Sequence, residues 1–77
     1  MKFIKIEAFS GVLNVASIAE FYIAIGEPTK IMAISNVSFR DKIVMGAYSD
    51  HGRANEVYAN LIEFLCSDEN VFKMPED

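Results

Sequence analysis

The chain has 77 residues, enough for one hydrophobic core and not for two. Seven Lys and Arg stand against eleven Asp and Glu, a net charge of −4. The basic residues Lys2, Lys5, Lys30, Arg40, Lys42, Arg53 and Lys73 are dispersed, which argues against the clustered cations that nucleic acid requires. Cys66 is the single cysteine, so no disulfide can form within the chain, and a reducing, cytoplasmic setting is expected.

Apolar residues make up 52% of the chain, with six Phe and three Tyr. A domain this small cannot hide that much apolar surface inside itself, so a homo-oligomer is expected, with a partner chain covering the excess. Charges interrupt the apolar pairs of the opening Met-Lys-Phe-Ile-Lys-Ile-Glu, and neither a signal-peptide apolar region nor a spanning helix can be drawn there. The uncharged stretch 8–19 carries Ser10, Gly11, Asn14 and Ser17 and is not read as a membrane segment. No cofactor is implied.

Residues 2–9 alternate, with Ile4, Ile6 and Ala8 on one face and Phe3, Lys5, Glu7 and Phe9 on the other, which predicts a strand. Ser10-Gly11 then turns the chain. Residues 18–25 are rich in β-branched and aromatic side chains and predict a second strand, with a helix over 16–24 as the rival, since Ile18, Phe21 and Tyr22 also fit a helical face. Gly26-Glu27-Pro28-Thr29 is a hairpin loop, because proline pre-sets φ and follows a glycine. Residues 30–39 and 42–48 predict two more strands, joined by Arg40-Asp41, which lacks the Gly or Asn of a tight turn.

A helix over 50–66 is the clearest element. Ser49 or Asp50 caps it, and Ala54, Val57, Tyr58, Leu61, Ile62 and Leu65 recur at helical spacing as one apolar stripe. Ser67-Asp68-Glu69-Asn70 ends it, and the tail 67–77 is non-helical, with Phe72 and Met74 folding back or touching a neighbour. The expected fold is therefore α+β, a single domain with a small antiparallel sheet of about four strands and one C-terminal amphipathic helix packed on it.

The run Ile-Val-Met-Gly-Ala-Tyr-Ser at 43–49, followed by Arg53-Ala54 and then Val57, Leu61 and Ile62, resembles a widespread group of small proteins of Gram-positive bacteria and their phages. In that group a β-meander ends in a strand with Gly and Tyr, and the helix after it opens on an Arg-Ala pair. The tail Phe72-Lys73-Met74-Pro75 is similar to that of the group. The resemblance covers 14–75; it implies the fold and a phage or prophage origin, and carries no activity. The more elaborate strand at 2–9, and Gly52 in the first helical turn, depart from the group's pattern.

Few residues carry chemistry. His51 is the only histidine, and Cys66 lies fifteen residues further along the same helix, about 22 Å by helical rise, so the two make no dyad within one chain. The expectation is a solvated His51 and a packed Cys66. Glu7, Glu20, Glu56 and Glu63 fall on polar faces, which suits solvation, and no metal site is predicted. Backbone N–H groups near Gly52, with Arg53, Arg40 and Lys42 as cations, are the candidate anion site, although an Asp50 cap would already satisfy those donors. Phe3, Phe9, Tyr22, Phe72 and Met74 are the candidate interface residues.

The functional expectation is a non-enzymatic, homo-oligomeric interaction module that binds another protein, in the phage setting by inhibiting a bacterial defence enzyme. The alternative is an oligomeric small-molecule binder that sequesters a nucleotide-like ligand between subunits.

Overall fold

The computed structural model describes residues 1–6, 11–36 and 41–76. Its strands are β1 (Phe3–Ile6), β2 (Gly11–Asn14), β3 (Ile18–Ala24), β4 (Thr29–Ser35), β5 (Lys42–Tyr48) and β6 (Val71–Lys73), with one helix, α1 (His51–Leu65), between β5 and β6. The α+β class is as the sequence predicts, but the strands form two three-stranded sheets rather than one sheet of four, in the orders β2-β1-β6 and β3-β4-β5.

The division falls at Asn14. Its side-chain oxygen accepts from Ala16 N–H at 3.0 Å, and Ser17 Oγ donates to the Asn14 carbonyl at 2.8 Å. These bonds wind Val15–Ser17 into a single 3-10 turn, so β2 does not run on into β3. Asn36 secures the turn from the far end of the hairpin, donating through its backbone N–H to Ser17 O and through Nδ2 to Ala16 O, both at 2.9 Å.

In the first sheet β1 is central, antiparallel to β2 and parallel to β6. The tail, read from sequence only as non-helical, therefore contains a strand. Phe3 N–H donates to Asn70 O at 2.8 Å and Met74 N–H to Lys5 O at 2.9 Å, which extends the parallel ladder at both ends. Ile4 and Ile6 point into the core, as their alternation predicts, whereas Phe3 and Lys5 lie on the opposite face. Residues 7–9 of the expected first strand, Phe9 among them, and residues 37–39 of the strand expected over 30–39 lie outside the described residues.

The second sheet is an antiparallel meander with a bulge in each outer strand, at Ala19 in β3 and between Val44 and Gly46 in β5. Each bulge shifts the alternation by one residue. Thus Ile18 and Phe21 share the inner face of β3, and Ile43, Met45 and Tyr48 that of β5. Without the second bulge Tyr48 would point away from the core.

Helix α1 packs on the inner face of β3-β4-β5. Asp50 is its N-cap, accepting from Gly52 N–H at 2.9 Å. The buried stripe is Ala54, Val57, Leu61 and Phe64, so it is rotated from the predicted one: Phe64 is 4% exposed and Ile62 41% exposed. The cause is the first sheet, which supplies Phe72 against Phe64 with ring centroids 5.3 Å apart and draws the helix face toward it. One core joins both sheets and the helix through Ile4, Ile6, Ile31, Met45, Tyr48 and Leu61. Among the described residues no helix is long and apolar enough to cross a membrane.

Lys2 closes the helix at its other end. Its Nζ donates to the carbonyls of Phe64 (3.2 Å), Ser67 (2.6 Å) and Glu69, and lies 4.7 Å from the centroid of the Phe64 ring. A cation from β1's leading edge thus meets the negative dipole end of α1 and the carbonyls of the turn that follows it.

Candidate interaction surface

The second sheet has two faces of different fate. The inner face is covered by α1. The outer face carries three cross-strand rows, fixed by the register: Glu20–Ile34–Lys42, Tyr22–Met32–Val44, and Ala24–Lys30–Ala47. Met32 is buried at 8% exposed, and none of Tyr22, Met32, Ile34 and Val44 is part of the cluster that joins the helix and both sheets. They form a central apolar band in which Met32 is buried, Tyr22 and Ile34 are half-buried and Val44 is 42% exposed. Glu20, Lys30 and Lys42 are exposed around it, and Glu20 and Lys42 form no ion pair among the described residues. An apolar centre with a charged rim is the usual composition of a protein-binding surface.

The sheet's edges are less available than its face. Tyr58 OH donates to Phe21 O at 3.0 Å, which occupies a carbonyl of edge strand β3, and each edge strand is bent by its bulge. Both devices discourage strand addition.

The candidate interface residues are dispersed. Tyr22 lies on the outer face just described. Phe3 lies on the outer face of the other sheet, in register with Asn14 and Val71. Phe72 packs against Phe64 within the chain, and Met74, only 3% exposed, is part of the core, so the fold itself accounts for both apolar tail residues. Phe9 lies outside the described residues. The face residues that sequence reading missed are Met32, Ile34 and Val44. Their period-2 spacing with Tyr22 was visible, but which face of each strand met the helix was not.

Two of the candidate anion-site cations, Lys42 and Arg53, stand at opposite ends of β5. Lys42 opens β5 and Arg53 follows its far end, and a strand of seven residues spans about 20 Å. Arg53 pairs instead with Glu56 on the same helix at 3.2 Å, an exposed contact of small energetic weight, while Arg40 lies outside the described residues. His51 is exposed with Nδ1 3.4 Å from Thr29 Oγ1. Cys66 is exposed at the helix C-cap, not packed as expected, because the stripe turned toward Phe64 leaves position 66 facing solvent. Among the described residues no three His, Cys, Asp or Glu side chains gather as a metal site would require. An open cleft beside the helix end is lined by Asn60, Glu63, Phe64, Ser67, Glu69 and Phe72.

Compared with known proteins, the chain matches no family model, no curated protein and no solved structure. The resemblance to small proteins of Gram-positive bacteria and their phages accordingly rests on its short motifs.

Proposed function

We propose that the protein is a non-enzymatic interaction module that associates with itself and holds a second protein. The observation that carries this reading is the Tyr22–Met32–Val44 row with Ile34 beside it, an apolar band on the sheet face opposite the helix. Apolar surface left partly open to water is retained at a cost in solubility, and covering it with another polypeptide removes that cost. The bulges in both edge strands, and the Tyr58 hydroxyl on the β3 edge, favour contact through the face. In the phage setting that the motif resemblance suggests, the second protein is a bacterial one, with a defence enzyme as the concrete case.

The test is the native mass of the protein purified from cells, read by mass spectrometry under non-denaturing conditions. A multiple of 8.6 kDa, alone or with the mass of another protein added, supports the reading. A bare monomer at every accessible concentration overturns it.

A further inference from the structure

We infer that the outer face of β3-β4-β5 is its own complement and pairs two copies of this chain face to face about a two-fold axis running along β4. This rests on the interaction-module reading and specifies its self-association. The row Glu20–Ile34–Lys42 places one acid and one base on either side of a neutral centre, each one strand spacing, about 4.8 Å, from β4. Rotation about an axis along β4 exchanges β3 with β5 and keeps every row at its height. Glu20 of each copy then faces Lys42 of the other, giving two identical ion pairs across the axis. In the next row Met32 meets Met32, and Tyr22 meets Val44. Aligned sheets stack about 10 Å apart, which suits these side chains.

Charge favours a second copy over an unrelated acidic or basic partner. The whole chain is acidic, eleven acids to seven bases, yet this face carries Lys30 and Lys42 against Glu20. Two copies that meet here pair Glu20 with Lys42 twice and leave only Lys30 opposite its own copy, instead of bringing acidic surfaces together. Lys30, on the axis in the last row, carries its ammonium on a long stem that reaches the rim. A face three strands wide is at the small end of specific interfaces, so a dimer of micromolar strength is expected.

The experiment is sedimentation equilibrium of the full chain at low salt for the wild type, Glu20→Lys, Lys42→Glu, the double exchange, and an equimolar mixture of the two single variants. Far-ultraviolet circular dichroism checks that these exposed substitutions leave the fold intact. The wild type is expected at twice 8.6 kDa, with each single variant about tenfold weaker because two attractive pairs become repulsive. The double exchange restores the dimer. So does the mixture, because this row is basic on both sides in one variant and acidic on both sides in the other. A dimeric wild type whose single variants are unchanged, or whose mixture stays monomeric, overturns the two-fold pairing and leaves the interaction module standing. A monomeric wild type overturns both.

Discussion

Gly46 lies under the ring of Tyr48: a Cβ at position 46 would stand 2.7 Å from the tyrosine hydroxyl oxygen and 2.9 Å from its ring. The bulge beside Gly46 turns Tyr48 into the core, where it is fully buried and its hydroxyl donates to the Pro75 carbonyl. The ring is thus held above position 46 by packing on its body and a hydrogen bond at its tip.

Gly46→Ala is expected to destabilise the protein by about 1–3 kcal/mol, the usual range for forcing a methyl into a packed site whose neighbour cannot withdraw. Urea unfolding measures it. Stability equal to wild type would mean that Tyr48 has room to move. Tyr48→Phe removes the hydroxyl and its bond to Pro75, and should cost about 1 kcal/mol.

Lys2 is expected to stabilise the end of a helix more than sixty residues away in sequence. Lys2→Met keeps most of the stem and removes the ammonium from the carbonyls of Phe64, Ser67 and Glu69. A loss of about 2 kcal/mol is expected, in the range of hydrogen bonds to charged groups. Thermal unfolding followed by circular dichroism reads it, and an unchanged melting temperature would show that water satisfies those carbonyls equally well.

Much of this architecture was legible in the sequence. The strands β3, β4 and β5 and the helix announce themselves by β-branched runs, the Gly-Glu-Pro-Thr loop and helical spacing, all local signals. Strands β2 and β6 were not legible, because four and three residues carry too little pattern to be distinguished from loop. They exist through pairing with β1, and β6 joins it from the opposite end of the chain. Gly46 within a strand pattern was the available sign of the second bulge. The separation of two candidate anion-site cations was hidden for a related reason: Arg53 and Lys42 are near in sequence, but the extended strand between them carries them apart.

The rotation of the helix stripe separates two neighbouring residues that sequence spacing could not rank. Phe64→Ala should cost about 3–5 kcal/mol, since Phe64 is buried against Phe72 and the core. Ile62→Lys should stay within about 0.5 kcal/mol of wild type, as surface substitutions do. Leu61→Asp places a charge in the fully buried part of the stripe and should abolish folding. Equilibrium denaturation of the three variants orders them, and a tolerated Phe64→Ala beside a damaging Ile62→Lys would restore the stripe predicted from spacing.

Val44→Asp separates stability from association. Val44 lies on the outer face of edge strand β5, opposite Met32 and clear of the core, so a carboxylate there remains in water in the monomer. The loss in monomer stability should be below about 1 kcal/mol, as for a strand substitution at a half-solvated site. In a face-to-face dimer the same carboxylate is carried against Tyr22 of the second copy, away from water and without a cation in its own row, and a charge buried unpaired is costly. Sedimentation equilibrium should therefore find Val44→Asp monomeric at concentrations where the wild type is dimeric, with an unchanged circular dichroism spectrum. A variant that dimerises as the wild type does would show that the surface joining two copies lies elsewhere, and would turn attention to the outer face of the first sheet, where Phe3 stands beside Val71.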